Sequence, residues 1–440
     1  MKHSSQAATT AAQSAGNKRG SNCMSAQPTA GNERGSNWIQ TQFGNEYKYY
    51  LRNGCVYAAN LFASGALLQT FLSAKGLSGA QIGTVTAALS MAQTVTILLF
   101  STVVDKVRNS LRTSAKLMLL LPLFSLVMLP FSLMEGISAD VLMAAVLIAG
   151  AVQNIFYGLY VILDYRIPYE IIDMRHYGRL NSINGLTGGL LMVAVSGLTT
   201  TLLYRFDVGP VFFGMYLFAA ACMVTGMLVT RSMRAVAKPA EESTLKRAGL
   251  MNTLRMPAFW ALIAPNLMRG FNSGVVGMLA TIAMFELKLS AAQTSALSII
   301  YTAMTIAGPI CFLRLQGRMR LHSMYLMASA IMLCALPTMM AGRSFGMFIC
   351  VYIVLLVGLG IADYTMPVLI TRVIPYESIG SYTSLRMGVH MAGLALGSMA
   401  AGAALGSIPT AALLLFSGCM QLGSGLIYWL YCRKKKDELL

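Results

Sequence analysis

The chain has 440 residues, of which 56% are hydrophobic and only 11% charged, whereas a soluble globular domain is about a quarter charged. A chain this apolar keeps most of its length in a membrane, and its net charge of +17 reads as the Lys/Arg excess of cytoplasmic loops rather than as a nucleic-acid surface. Eight cysteines without a CxxC pair and four histidines without HExxH spacing argue against a metalloenzyme and against a disulfide framework, so no cofactor is expected.

Residues 1–45 are rich in Ser, Ala, Asn, Gly and Gln and contain a small duplication, AGNKRGSN and AGNERGSN. Such a segment cannot bury a core and is expected to be a disordered cytoplasmic tail. It has no apolar stretch of the kind a secretory signal needs.

Twelve apolar segments follow, near 49–71, 80–104, 115–134, 139–163, 180–203, 210–230, 257–285, 291–313, 323–342, 344–366, 383–405 and 409–431. Each approaches the roughly 20 residues that cross a hydrocarbon core of about 30 Å. Backbone groups in lipid must be satisfied internally, so these are helices, and the fold class is an all-α membrane protein with twelve transmembrane helices. The first six lie in 46–230, a basic central loop covers 231–256, the second six lie in 257–432, and a basic tail closes the chain at 433–440. With both termini cytoplasmic, the outward connectors carry only Lys75, Arg205, Lys288 and Arg343, and most other Lys and Arg fall on the inner loops. That asymmetry predicts a multi-pass protein of the plasma (cytoplasmic) membrane with both ends inside. The KDEL within the C-terminal RKKKDELL is followed by one more Leu, so it does not read as a retention signal.

The stretch Leu77-Ser78-Gly79-Ala80-Gln81 returns 212 residues later as Leu289-Ser290-Ala291-Ala292-Gln293. At the same offset Asn60 meets Asn272, Gly65 meets Gly277, Lys106 meets Arg318 and Arg108 meets Arg320. Further on, Asp164-Tyr165-x-x-Pro168 returns as Asp363-Tyr364-x-x-Pro367. Two six-helix copies in the same orientation form a parallel repeat about an axis along the membrane normal, a plan used by secondary transporters.

Twelve spans in two halves, a basic central loop and the segment STVVDKVRNSLR after span 2 resemble the major facilitator superfamily, whose signature in that loop is G-x-x-x-D-x-x-x-R-[KR]. Asp105 and Lys106 fit it and Arg108 is close to the expected Arg. Ser101 and Val107 replace its glycines, and Gly317 stands in the second copy where Asp105 stands in the first. GLSGAQIG before span 2 is also similar, and the resemblance covers about 46–432. It implies alternating access, with Asp105, Lys106 and Arg108 locking the two halves on the inner side, spans 1 and 7 lining the cavity, and spans 5 and 11 shearing between halves. Asp164 and Asp363 end spans 4 and 10 and join this gating set, with Arg108 the expected partner of the first and Arg318 or Arg320 that of the second.

Arg269 falls well inside span 7. A cation there is costly and by default faces a cavity. Tyr57 is its repeat counterpart, so Tyr57, Asn60, Arg269 and Asn272 are expected to face the solute. The competing reading is that Arg269 pairs with an acid such as Asp363 and stabilises the fold. Gln93 in span 2, Asn154 and Tyr157 in span 4 and Tyr301 in span 8 complete the expected lining. His390 in span 11 reads as a proton switch or as a neutral ring hydrogen-bonded across helices. Gly393-x-x-x-Gly397 and Gly402-x-x-x-Gly406 suit close helix approach.

These features predict a secondary transporter, not an enzyme, that moves a small solute with a proton or sodium gradient, since no GxxxxGK[ST] occurs. One cation and few acids in the cavity favour an anionic or polar solute such as an organic acid or a sugar-like compound. A multidrug exporter of lipophilic solutes and a non-transporting sensor on the same fold are the alternatives. The lack of a Gly-Pro in span 5 lowers the export reading. The expected partners are the solute, the coupling ion and the lipid bilayer, with no nucleic acid and a monomeric chain.

Overall fold

A computed structural model describes residues 31–100, 107, 109–164, 167–171, 177–234, 257–316, 318–340, 344–373, 379–405 and 407–434. The chain divides into two units, residues 1–40 and 41–440, and the transmembrane architecture belongs to the second. The described residues form helices joined by turns, with no strands. Spans 1 to 6 are Gly44–Ala74, Gly79–Phe100, Ser110–Leu133, Ala139–Asp164, Ile183–Leu203 and Val208–Ser232. Span 7 is a bent pair, Ile263–Gly277 and Leu279–Glu286, and spans 8 to 12 are Ala291–Gln316, Leu321–Thr338, Phe345–Met366, Leu385–Ala404 and Thr410–Lys434.

The first helix corrects one expectation. It runs from Gly31 to Ala63, so residues 31–45 are helical rather than an unstructured tail, while residues 1–30 lie outside the described residues. Once a helix is nucleated by an apolar span, each added residue gains a hydrogen bond at the cost of fixing one residue, which carries the helix into polar sequence.

The duplicated LSGAQ and LSAAQ have a local physical meaning. In both, the Ser hydroxyl accepts from the backbone N–H of the Gln three residues on, and the Gln side chain accepts from the Ser backbone N–H. The distances are 3.3 and 2.9 Å at Ser78/Gln81 and 3.2 and 2.9 Å at Ser290/Gln293. This reciprocal capping box satisfies two backbone donors that a helix start would leave bare, and it begins spans 2 and 8 alike. The turn before each box also repeats. Gly76 has φ +92° and Lys288, its counterpart, φ 51°, so the second copy places a side chain in the left-handed region that glycine enters freely.

The first span of each half is interrupted, at places two residues apart in the repeat. Ser64 separates Gly31–Ala63 from Gly65–Ala74, whose Gly65 has φ +71°, and Met278 separates Pro257–Gly277 from Leu279–Glu286 with a bend of 40°. In the N-terminal half, Phe71 packs against Phe212 and Tyr216 with ring centroids 5.1 and 5.6 Å apart. In the C-terminal half, Tyr325 meets Tyr428 edge-on at 5.3 Å.

Among the described residues, three of the span pairs that join the halves show how they meet. Spans 2 and 11 touch backbone to backbone, since a Cβ on Gly83 would lie 2.6 Å from the Gly402 Cα. Spans 5 and 8 join through the Thr200 and Ser295 hydroxyls at 2.8 Å. Spans 1 and 7 join through Gln69, whose amide donates to the Gly277 carbonyl at 3.0 Å and accepts from the Thr281 hydroxyl at 2.8 Å. Gln69 and Thr281 are repeat counterparts, so the same position of each copy meets the other. Ser196, Thr199 and Ser298 are buried near the span 5 and 8 contact.

Candidate functional site

Each half holds one arginine inside its first span, and each arginine is paired with a repeated acid. Arg52 of span 1 pairs with Asp164 at the end of span 4, and Arg269 of span 7 pairs with Asp363 of span 10. Asp164 therefore meets Arg52, its expected partner Arg108 lying outside the described residues, and Asp363 meets Arg269 rather than Arg318 or Arg320. Arg320 is the residue that precedes the first turn of span 9, and Arg318 lies in the turn before it. The competing reading of Arg269, a pair with Asp363, is the arrangement found. Asp105, Lys106 and Arg108 lie outside the described residues.

The surroundings of the two pairs differ. Arg52 is fully buried. Its guanidinium donates to the Asn53 side chain at 2.9 Å and to the Ser114 hydroxyl at 3.0 Å, and its plane lies over the Tyr160 ring at 4.8 Å. Spans 1, 3 and 4 thus close around it. Burying an ion pair costs desolvation that added hydrogen bonds must offset; Asn53 and Ser114 supply two here, while the Nε of Arg52 is left without a partner. The Asp164 side chain is 28% exposed. Asp363, by contrast, is 43% exposed beside an Arg269 that is 10% exposed. Tyr301, 39% exposed on span 8, and Tyr364 lie within the electrostatic reach of Asp363, while Tyr325 and Tyr428 lie within that of Arg269.

His390 is half-buried on span 11, in the fields of both Arg269 and Arg386 and hydrogen-bonded to the Asn266 backbone. Its neighbourhood follows from glycine. A Cβ on Gly270 would lie 2.1 Å from the His390 carbonyl oxygen, and one on Gly397 would lie 2.0 Å from the Phe271 carbonyl oxygen. Only glycine lets spans 7 and 11 approach so closely, and that approach sets His390 beside Arg269. The Nδ1 of His390 and the Nε of Arg269 are buried without a hydrogen-bond partner.

The other expected lining residues separate into two groups. Tyr57 rests against Gly188 of span 5 and accepts from Asn184 at 3.4 Å, and Asn60 and Tyr157 are half-buried. Tyr157 stacks on Tyr160 at 5.9 Å, and Asn154 donates to the Gly150 carbonyl of its own helix at 2.9 Å. Asn272 and Gln93 are buried. Asn272 accepts from Ser417 at 2.8 Å and donates to Gln421 at 3.4 Å, joining spans 7 and 12, while Gln93 sits where span 2 packs on Gly158 of span 4. These two serve helix packing in this arrangement.

Arg52 and Arg386 escaped the sequence reading. Arg52 lies at a span's first turns, where a flanking base is common. A signal was available, since each repeated acid asks for a base in its own half, and spans 1 and 7 carry one arginine each, though at positions the repeat does not match.

The profile of the Major Facilitator Superfamily matches residues 53–398. No curated protein matches the chain. Among solved structures, a D-xylose-proton symporter has a TM-score of 0.65 at 13% identity, covering 88% of this chain and 97% of its own. A bacterial homolog of the human lysosomal transporter Spinster, inward-facing and unoccupied, has 0.65 at 13%, covering 92% and 98%. The nucleoside transporter NupG has 0.64 at 13%, covering 89% and 98%. At such identity these structures share the fold, and with the profile spanning most of the sequence, the chain belongs to the Major Facilitator Superfamily.

Proposed function

We propose that this transporter moves a small anionic or polar solute by alternating access, driven by a proton or sodium gradient. The observation that carries the reading is the Arg–carboxylate pair inside each half, Arg52–Asp164 and Arg269–Asp363. Charges inside a membrane bundle are expensive and mark solute or ion pathways. Duplicated halves that meet through a few hydrogen bonds and glycine contacts suit rocking about a central site. The sugar and nucleoside transporters among the structural neighbours support a small polar solute, and the xylose-proton symporter supports a proton as the coupling ion. The distribution of Lys and Arg supports the plasma membrane orientation with both termini cytoplasmic.

The test is uptake into proteoliposomes, with labelled organic acids, sugars and nucleosides under imposed proton or sodium gradients. Accumulation that collapses with an uncoupler supports a proton-coupled transporter. Binding without uptake under any gradient would instead identify a sensor.

A further inference from the structure

We propose that the solute's anionic group docks in the C-terminal half alone, on Arg269 with His390 and Arg386 beside it, and that it displaces Asp363 from the guanidinium. The N-terminal pair Arg52–Asp164 then acts as a fixed strut. The inference rests on the transporter reading and gives it a ligand class: solutes with a carboxylate or phosphate oxyanion.

The asymmetry of the two pairs is the basis. Arg52 has no exposed surface; its two terminal nitrogens donate to Asp164, Asn53 and Ser114 while Tyr160 covers its face, and its Nε, like that of Arg269, has no partner. An incoming anion would have to break four contacts to reach it. The Arg269 head meets the Asp363 carboxylate, itself 43% exposed and near the exposed Tyr301. A carboxylate that faces open space can swing away, and a solute oxyanion can take its place on the guanidinium, where a planar oxyanion can bind two nitrogens at once.

Two further groups await such a ligand. The Nε of Arg269 and the Nδ1 of His390 are buried without a hydrogen-bond partner, and buried polar atoms of this kind are costly unless satisfied. Arg386 lies one helical turn before His390 on span 11, a second cation close to the group that meets Arg269. The N-terminal half places Asn184 and Tyr57 at this level, which are neutral and hydrogen-bonded to each other.

The experiment measures binding to purified full-length protein by titration calorimetry and thermal shift. Lactate, succinate and glycerol 3-phosphate are the oxyanion probes, with xylose as the neutral probe and tetraphenylphosphonium as the cationic one. Asp363→Asn removes the internal competitor, so at least one oxyanion should bind about tenfold more tightly. Ser290→Ala, in the capping box at the start of span 8, should leave that affinity unchanged. Since Arg269→Ala alone strands Asp363, the double variant Arg269→Ala/Asp363→Asn is the loss-of-site test, and it should abolish binding while the protein still elutes as a folded monodisperse peak. Lactate and glycerol 3-phosphate separate a carboxylate from a phosphate preference. The proposal is overturned if no oxyanion binds the wild type, if Asp363→Asn weakens binding or leaves it unchanged, or if the double variant binds as well as the wild type. Uptake of xylose alone, indifferent to these variants, would sink the anion site and leave the transporter reading standing. Absence of uptake for every probe would sink the transporter reading itself.

Discussion

Arg52 shows what a single charge does inside a bundle. Its partners come from three spans, so its removal takes the described counter-ion from a partly buried Asp164. Breaking a buried pair from one side costs about 3–5 kcal/mol. Arg52→Met should therefore lower the melting temperature sharply and deplete the monodisperse fraction in detergent. Arg52→Met/Asp164→Leu, which removes both charges, should recover most of the loss. A double variant as unstable as the single one would mean that Asn53, Ser114 and Tyr160, rather than the charge, hold these spans together. The residue scale is also where the sequence was least legible. Asp164 and Asp363 stand out because they repeat, but their partners lie about a hundred residues away along the chain. Nearby loop bases looked equally suitable. Asn272 repeats as faithfully as the acids, yet it spends its amide on Ser417 and Gln421, because repetition records a shared fold position and not an exposed one.

At the scale of elements, the helix starts of spans 2 and 8 were written into five residues. Ser and Gln at that spacing serve the bare N–H groups of a first turn, and the reciprocal bonds at Ser78/Gln81 and Ser290/Gln293 follow from it. Ser78→Ala and Ser290→Ala should each cost about 1 kcal/mol. Because the boxes lie in different halves with no shared partner, the two losses should add. Melting of the single and double variants in one detergent checks this, and a double loss equal to either single one would show that the halves melt separately. The spans themselves were legible for a similar reason: lipid imposes both length and internal hydrogen bonding, so apolar runs translate directly into helices. The breaks were less so. Gly65 and Gly277 match in the sequence, but only Gly65 takes a positive φ, and span 7 bends at Met278 instead. The span 11 glycines announced close approach, and the structure adds the neighbours, with Gly393 and Gly397 against span 7 and Gly402 against span 2.

Across the whole molecule, the repeat makes Gln69 and Thr281 the two copies of one position, and they bond to each other where the halves meet. A contact between equivalent positions lies close to the pseudo-symmetry axis. Any motion that opens the bundle at this end must part it, together with Thr200 and Ser295. Neutral hydrogen bonds suit that task, since each contributes only about 0.5–1.5 kcal/mol and can be exchanged for water on opening. A covalent link in the same place would not yield. Gln69→Cys/Thr281→Cys, with the exposed Cys334, Cys350 and Cys419 replaced by Ser, should form an oxidative cross-link. Uptake should then fall to background and return on reduction. Either single cysteine should transport normally under the same oxidant. If the cross-linked protein still carried solute at the wild-type rate, the halves would not separate at Gln69 during the cycle, and opening would have to occur by bending at Ser64 and Met278 within spans 1 and 7.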